Sequence, residues 1–548
     1  MKIKKLVALI LVVAALAAMT ACADKGKESS PPASSPEASG NTQSPAPGTN
    51  SPGGTETDTP PAGIPGKDTF YIGQKASLGT FQHGSFGGMP TLHSLVFDMI
   101  FWYDAKTGEA YSDILEEYHS INSTSYFMKV KEGVTFNDGT PLTGEDILFT
   151  LQSYSLKGSP FEPTVSFIDF EKSSLSDDKL SLTVEFNREY GPFLFAQPPY
   201  PVVSKAWCEA NGWETQDWYN APVGSGPYRV VEYVTDSYVK FELRDDYWGD
   251  ESYPYKTIIA KYYGDASTMY IDLEAGAIDI AIGVNKEDYA RAEAGGNSKI
   301  SAQKTIGGFA SFIVWNPNNP YLQNENIRKA LSMAVDWDVL TDTAYGALGI
   351  RNKSAISVTN KYYDPSIENY PYDPEAAKEI FAQEGIKDGD IAFNWLTTAD
   401  GENYATGLQW YLANVGVTLN LEFVDFATMQ MTMFTTTDPQ FINSAAGPSY
   451  AQNPYAMLIN TVKATTTWPA HTYVADPAYE KLIDDLLSAT EDAEIKRVAN
   501  EIQKYVAEKV PFTPTNIVLG GVCYNNEVVA DALLCNTNEP NLKTIVYK

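Results

Sequence analysis

The stretch Val134–Leu151, VTFNDGTPLTGEDILFTL, gathers acidic residues and two glycines into a segment that resembles a metal loop. A calcium loop of the EF type needs acids at alternating positions before its glycine. Val134 and Phe136 stand at those positions, and Asp138 is the acid directly before Gly139. The spacing therefore excludes an EF-type site, and we predict no metal here.

The same stretch has the signals of ordinary local structure. Asn137–Gly139 is typical of a tight turn, because glycine and asparagine tolerate the backbone angles that such turns need. Thr143 precedes Glu145 and Asp146, and carboxylates favour the N-terminus of a helix. We predict a turn followed by a capped helix, remote from any chemistry.

Catalytic signatures are absent from the sequence. No H-E-x-x-H, G-x-S-x-G or G-x-x-x-x-G-K-[ST] pattern occurs. Among the four histidines, His83 and His93 lie ten residues apart, a spacing that fixes no ligand geometry. We predict that the protein is not an enzyme and holds neither a cofactor nor a metal.

The composition limits the class of partner. The chain has 548 residues and a formal net charge of −30. Such a length allows two or more lobes with buried cores. Phosphate binding needs clustered lysine and arginine, so the acidic balance argues against nucleic acid as a partner.

The N-terminus has the pattern of a secretion signal in residues 1–21. Lysines at positions 2, 4 and 5 precede Leu6–Ala18, an apolar run too short to span a bilayer. Small residues then stand before Cys22, which resembles a bacterial lipobox. A lipid on this thiol would hold the protein on the outer face of the membrane, or on its periplasmic side. The alternative is an ordinary signal peptide with a chance cysteine.

Residues 22–67 form a segment of serine, proline, glycine and threonine with few large apolar side chains. Such a composition cannot offset the entropy of folding, so we predict a disordered tether before a globule that starts at Asp68. Beyond Cys22, the cysteines are Cys208, Cys523 and Cys535. They permit one disulfide, Cys523–Cys535, but buried free thiols are the preferred interpretation.

Hydrophobic periods of both kinds alternate along the globule. Strand-like alternation occurs in 180–186, 239–243 and 417–423, and helical spacing in 479–487 and 495–506. Pro511 and Pro514 should end the last helix. The fold class predicted is a mixed α/β protein without internal repeats.

Several segments, taken in order, resemble the family 5 extracellular solute-binding proteins, which are oligopeptide, dipeptide and nickel-chelate receptors of ATP-binding-cassette importers. The resemblance covers about 70–529 and rests on seven motifs: VKEGVTFNDGTPLTGEDILFTL, APVGSGPYRVVEY, LRDDYWG, LEAGAIDIAIG, FIVWNPNNP, IRKALSMAVDWDVL and YDPEAAKEIFAQEGI. Their glycines, caps and apolar stripes also have a structural explanation, so the motifs identify a scaffold rather than a ligand.

The resemblance implies the two-lobed fold of periplasmic binding proteins (type II, cluster C), with hinged lobes. Lobe one would comprise 68–308, with a sub-domain at about 101–190 and a C-terminal return at 515–548. Lobe two would comprise 309–514. A ligand enclosed between the lobes would stabilise the closed state, which permease subunits in the membrane would bind. We expect a monomeric receptor.

The sequence constrains the identity of the ligand less than it constrains the fold. In peptide receptors of the family, an aspartate in a D-x-x-D-P-like stretch holds the peptide amine. Aligning Asn453-Pro454 with that Asp-Pro places Tyr450 at the position of the aspartate. Either another acid such as Asp425 replaces it, or the ligand has no free amine.

The predicted ligand contacts are aromatic, amide and glycine residues on segments that line the cleft in relatives. Stacked aromatic rings with amides also suit a sugar, while core packing is the alternative for each ring. The residues are Phe86, Gly88, Phe309, Trp315, Asn443, Tyr450 and Asn516.

Three hypotheses of function remain open. The first is a lipid-anchored receptor that delivers peptides to an importer. The second keeps the receptor but gives it an oligosaccharide or another uncharged solute. The third is a secreted enzyme or adhesin, and a nickel chelate is a further alternative ligand.

Overall fold

The computed structural model describes most of the chain from residue 68 onward. The described residues are 68–75, 90–103, 109–155, 165–191, 193, 201–211, 222–316, 318–367, 370–436, 438–448, 454–458, 476–532 and 542–547.

The first part of the described chain, up to residue 293, is rich in strands. The strands are β1 (Thr69–Gln74), β2 (Trp102–Tyr103), β3 (Ala110–Tyr111), β4 (Leu115–Asn122), β5 (Ser125–Val130), β6 (Ser174–Leu175), β7 (Ser181–Glu185), β8 (Tyr228–Val234), β9 (Tyr238–Leu243), β10 (Thr257–Tyr262) and β11 (Ile280–Ile282). The helices between them are α1 (Pro90–Val96), α2 (Gly144–Tyr154), α3 (Lys205–Asn211), α4 (Ala266–Glu274) and α5 (Lys286–Glu293).

The second part alternates helices with long strands. The strands are β12 (Ile300–Val314), β13 (Gly349–Arg351), β14 (Ala392–Thr397), β15 (Thr418–Phe423), β16 (Asn443–Pro448), β17 (Phe512–Asn525), β18 (Val529–Asp531) and β19 (Val546–Tyr547). The helices are α6 (Glu325–Met333), α7 (Trp337–Tyr345), α8 (Pro374–Gln383), α9 (Glu402–Ala413), α10 (Phe426–Thr435), α11 (Tyr455–Leu458), α12 (Pro477–Ser488) and α13 (Asp492–Lys509).

Many acidic and amide residues of this chain are helix caps. Their side-chain oxygens accept a backbone N–H of the first helical turn, which is one of the donors that a helix leaves unpaired. The caps are Asp265, Asn285, Asn324, Asp336, Asp373, Asp425 and Asp476. The negative charge of the chain therefore has a partly local, structural use.

A nine-stranded mixed sheet is the largest sheet among the described residues. Its order is β16-β12-β17-β11-β1-β10-β9-β8, and β13 also pairs with β17. β1 is parallel to β10 and β11, whereas the other pairs are antiparallel. Successive side chains of β1 enter different apolar clusters, since Phe70 and Ile72 belong to one and Tyr71 to the other. Both faces of the sheet are therefore covered around β1, and the two clusters together form the first core.

A second core is built by residues between 313 and 442. The parallel pair β14 and β15 packs there with α6, α7, α8 and α9, through side chains such as Leu331, Phe393 and Leu408. Two long strands connect this region with the first core. β12 contributes Ile300 to the first core and Ile313 to the second, and β17 pairs with it in the opposite direction.

A third core joins the small sheet β4-β5-β7-β6 and α2 to the helices α12 and α13. Met128, Leu182, Ile483 and Val498 are buried together in it. At its edge the backbone N–H of Gly191 donates to the carbonyl of Leu487 at 3.0 Å. The limits of the lobes stay a prediction.

The acidic stretch that opened the sequence analysis is a turn and a capped helix. The hydroxyl of Thr143 accepts the backbone N–H of Glu145, while Asp146 accepts the backbone N–H of Thr143 at 2.9 Å. In the turn, Asp138 accepts the backbone N–H and the hydroxyl of Thr140. These contacts confirm the predicted local structure.

One buried arginine connects three of the sequence motifs in the folded protein. The Arg244 side chain is fully buried, and its guanidinium donates to the carbonyls of Phe136 and Gly226 at 3.0 and 3.2 Å. The indole N–H of Trp248 donates to the carbonyl of Ser225 at 2.8 Å. Motifs about a hundred residues apart therefore meet at one junction in the scaffold.

The predicted strands and helices lie where the periodicity placed them, in β7, β9, β15, α12 and α13. α13 ends at Lys509, and Val510 adopts a left-handed backbone with φ of 46° just before Pro511. Cys208 and Cys523 are buried free thiols, and Cys535 lies outside the described residues. Among the helices described, none combines the length and apolar character needed to span a bilayer.

Candidate ligand-binding site

The strands β12, β17 and β13 lie side by side where the chain passes between the cores. β17 is central, since Phe309 of β12 and Gly349 of β13 both pair with Val518. The pairing of β12 with β17 is irregular between Lys304 and Gly308. Interrupted pairing leaves this part of the connection with fewer ladder hydrogen bonds than a regular pair has.

Phe309 and Asn516, two of the predicted ligand contacts, lie on these connecting strands. The Phe309 side chain is 40% exposed, which is unusual for a large apolar residue on a central strand. Asn516 is buried, and its Nδ2 makes no hydrogen bond of regular geometry to a described residue. Their role as ligand contacts stays a prediction, although both positions adjoin the passage between the cores.

Trp315 lies in the second core. It is 2% exposed, and its ring centroid is 6.5 Å from that of Phe393. The sequence left open whether this residue contacts a ligand or packs in the core, and its position fits core packing better.

The remaining predicted contacts lie wholly or partly outside the described residues. The backbone of Asn443 belongs to β16 and pairs with Val314, while its side chain is outside the described set. Phe86, Gly88, Tyr450 and the lipidation candidate Cys22 are also outside it.

Asp425, considered as a substitute for the aspartate missing at position 450, caps α10. Its Oδ1 accepts the backbone N–H of Thr428 at 2.9 Å, and its Oδ2 accepts the hydroxyl of that residue at 2.6 Å. Both oxygens therefore have local partners. A carboxylate has further lone pairs, so amine binding by Asp425 stays a prediction.

The structure adds an arginine that sequence reasoning missed. Arg351 ends β13 directly opposite Asn516, so the two side chains share one face of the strand pair. Its Nη1 donates to the carbonyls of Asn352, Pro514 and Thr515, the last two at 2.9 and 2.6 Å. Burial lowers the pKa of Arg351 to about 10, which leaves the side chain charged at neutral pH.

Two tyrosines accompany the arginine. The ring centroids of Tyr345 and Tyr404 are 5.9 Å apart. Burial raises the pKa of Tyr345 to about 12, and an interaction with the Asn516 side chain acts in the opposite direction. Burial also raises the pKa of Tyr404 above its ordinary range. Both hydroxyls are therefore protonated and able to donate at neutral pH.

Sequence reasoning had no signal for this cluster. Tyr345 ends α7, Arg351 follows a few residues later, Tyr404 is in α9, and Asn516 is in β17. No spacing pattern joins these four positions, because their proximity arises from tertiary structure.

Three lysine contacts join the first core and β12 to residues on or near α7 and α9. The ammonium of Lys75, just after β1, lies 2.5 Å from Oδ1 of Asp400, which lies before α9. Lys286 of α5 donates to the carbonyl of Thr343, and Lys304 donates to that of Ala347 at 3.0 Å. The two regions therefore touch beside the connecting strands.

No cluster of three or more metal-ligating side chains occurs among the residues described. His93 is buried in α1 and His119 is on β4, whereas His83 and His471 are outside the described ranges. The groups that the structure brings together at the candidate site are a cation, an amide, hydroxyls and aromatic rings.

Comparison with known proteins identifies the family. The family model for bacterial extracellular solute-binding proteins, family 5, matches residues 109–467. Oligopeptide-binding protein AppA of Bacillus subtilis is 24% identical over 468 residues, covering 78% of this chain and 84% of that protein. Heme-binding protein A of Haemophilus influenzae is 25% identical over 299 residues, covering 50% of this chain and about half, 54%, of that protein.

The fold has solved counterparts. The periplasmic binding protein DppA of Helicobacter pylori, in complex with the peptide STSA, superimposes with a TM-score of 0.75 at 18% identity, covering 87% of this chain and 98% of that one. This likeness confirms the predicted mixed α/β, two-lobed fold. The matched relatives are binding proteins, in agreement with the prediction of a non-enzyme. The chain belongs to the bacterial extracellular solute-binding proteins of family 5.

Proposed function

We propose that this protein is the receptor of an ATP-binding-cassette importer, and that it captures peptides between its two lobes and delivers them to permease subunits. The names of the relatives support a peptide, since AppA is an oligopeptide-binding protein and the DppA structure holds the peptide STSA. Heme-binding protein A carries the name of another ligand, so family membership alone does not choose the solute.

The observation that carries the proposal is the arrangement at the connecting strands. β12 and β17 are continuous strands between separate cores, and they expose Phe309 near the donors of the partly buried Arg351 and the buried Asn516. A peptide offers apolar side chains, backbone carbonyls and a terminal carboxylate, and these groups match an apolar surface with nearby donors.

Closure around the ligand supplies the signal to the permease. A solute that contacts both lobes stabilises the closed state by the contacts that the open state lacks. Lys75 and Asp400 are candidates for a protein contact that also forms on closure, because they come from elements of different cores.

A thermal-shift comparison tests the ligand class. Full-length protein is mixed with short peptides, neutral oligosaccharides and metal chelates in separate wells. A ligand at a hundred times its Kd adds about 2.7 kcal/mol to the unfolding free energy, which gives a clear rise in Tm. We expect peptides to give this rise. A rise with neutral oligosaccharides or chelates, and none with peptides, would replace the peptide by that solute class.

We also propose that lipid on Cys22 holds the receptor at the membrane surface. The support is the run of small residues before this cysteine after a short apolar segment. We expect Cys22→Ser to move the protein from the membrane fraction to the soluble fraction, with unchanged peptide binding. Retention of the Ser variant in the membrane fraction would refute lipidation at this residue.

A further inference from the structure

Arg351 is a partly buried cation whose donors are only partly used. Among the described residues, the acceptors of its guanidinium are three backbone carbonyls, all bound by Nη1. Within that same set, Nε and Nη2 have no acceptor, and Asp338 and Asp336 act on the guanidinium as negative charges without forming an ion pair with it. Five N–H groups in a planar fork make guanidinium a strong donor, and a desolvated charge without a close partner is costly.

Two fully buried arginines show how this chain satisfies such a group elsewhere. Arg328 directs Nε, Nη1 and Nη2 to four backbone carbonyls: those of Val510, Leu322, Gln323 and Lys509. Arg244 combines backbone carbonyls with Asp246, whose Oδ1 lies 3.2 Å from Nε. Arg351 differs from both because one side of its fork remains open to an acceptor.

The groups beside Arg351 are donors as well. Asn516 stands opposite it on the same face, and its buried Nδ2 lies beside the Tyr345 hydroxyl without a regular hydrogen bond. Tyr345 interacts with Asn516, and its hydroxyl is protonated at neutral pH. Three neighbouring side chains thus present N–H or O–H groups, and an ionised carboxylate is a group that only accepts.

We infer that Arg351 and Asn516 bind a carboxylate of the solute at the face shared by β13 and β17. This inference rests on the proposed function, since it places the solute beside the connecting strands, and it narrows the solute to acidic compounds. Arg351 is then a specificity-determining residue: the carboxylate forms charge-assisted hydrogen bonds with its free edge, and Asn516 donates a further one.

The inference excludes a neutral solute as the preferred ligand. A neutral sugar or an amidated peptide would leave the partly buried guanidinium without a close negative partner, whereas a free acid supplies one. Loss of a hydrogen bond to a charged group corresponds to about 10- to 100-fold in affinity. We therefore expect affinities to differ by that factor between a free acid and its amide.

The test uses full-length protein and matched ligand pairs. Peptide pools without aspartate or glutamate are prepared as free acids and as C-terminal amides, and oligogalacturonides are compared with neutral galactans. Binding is measured by thermal shift and then by calorimetry. The inference predicts that the acid of a pair binds about 10- to 100-fold more tightly than its neutral form.

Variants separate recognition from folding. Arg351→Gln should lose the preference for acids. Arg229→Gln is the control, because it removes the same charge from an exposed position on β8, and this variant should keep the preference for acids. Asn516→Asp places a carboxylate opposite Arg351. In the absence of ligand, this variant should be at least as stable as the wild type. It should bind the acids about 10- to 100-fold more weakly than the wild type does.

The outcomes distinguish the two proposals. If oligogalacturonides bind and peptide acids do not, the peptide function fails while carboxylate recognition stands. If peptide acids and amides bind equally, or if Arg351→Gln and Asn516→Asp keep the preference for acids, the inference about Arg351 is overturned and the peptide function stands. A wild-type protein that no acid in the panel stabilises also overturns the inference.

Discussion

Replacing Asp279 with asparagine should make the protein more stable at neutral pH. Asp279 lies directly before β11 and is 4% exposed. Its Oδ2 accepts the backbone N–H of Tyr71 at 2.8 Å. Burial raises the pKa of Asp279 to about 6, although the hydrogen bond from Tyr71 and the positive charge of Lys261 both favour the ionised form.

The sign of the pH dependence follows from this raised pKa. The folded protein holds the proton of Asp279 more tightly than the unfolded chain does, where the ordinary value is 3.8. The contribution of the group to the unfolding free energy is therefore fully present below pH 3.8 and is lost as the pH rises through about 6. Because a tenfold change in proton affinity is worth about 1.4 kcal/mol, the loss amounts to about 3 kcal/mol.

Asparagine is a suitable replacement because its side-chain oxygen can accept the same N–H of Tyr71 without a charge. Urea unfolding of the wild type and of Asp279→Asn should be followed by tryptophan fluorescence from pH 3.5 to pH 8. The variant should match the wild type within about 1 kcal/mol at the acid end and exceed it by up to about 3 kcal/mol at pH 8. Asp250→Asn, at an exposed position, measures the effect of net charge alone.

A difference between Asp279→Asn and the wild type that stays constant across this pH range would refute the reasoning. An asparagine variant that is less stable than the wild type at pH 8 would do so as well. In that case the attraction of Lys261 would outweigh the burial of the Asp279 carboxylate.

Three further perturbations test other parts of the structure. In the wild type, Nζ of Lys543 lies 2.6 Å from the fully buried Asp98. Lys543→Met should lower the unfolding free energy by about 3 to 5 kcal/mol, because it leaves this carboxylate without its cation. Adding Asp98→Asn should recover most of this loss in urea unfolding. Lys75→Met should weaken ligand binding by less than about fivefold, since the pair with Asp400 is partly exposed. Exchanging the two residues, as Lys75→Asp with Asp400→Lys, should restore ligand binding at low salt. A loss of affinity in Lys75→Met that persists at 1 M salt would contradict this assignment. Asp138→Asn should lower Tm while ligand affinity stays within about threefold, because its carboxylate holds a turn; a selective loss of affinity would place Asp138 in the site.

Much of the local structure could be predicted from the sequence. Periodicity and caps act over a few residues, so the turn at Asp138, the capping box at Thr143 and the end of α13 before Pro511 follow from local chemistry. The order of the motifs also indicated the family and the fold class. The turn, the capping box and the helix end share one physical cause, since each depends on neighbours along the chain.

The candidate site could be predicted only in part. Phe309 and Asn516 were named from the segments that carry them, and the structure places both on the connecting strands. Trp315 was also named, but its ring lies in the second core, where apolar burial governs its position.

Tertiary structure decided which charges are balanced. Arg244 and Arg351 look alike in the sequence, yet Arg244 meets carbonyls from residues about a hundred positions earlier and has Asp246 beside it, whereas Arg351 meets Pro514 and Thr515 and keeps part of its fork open. The balance of a buried charge depends on groups brought close by folding, because electrostatic interaction and desolvation depend on distance and burial rather than on sequence separation. The sequence by itself determined the scaffold and its family, and the folded structure alone distinguished an arginine of the scaffold from an arginine able to bind a solute.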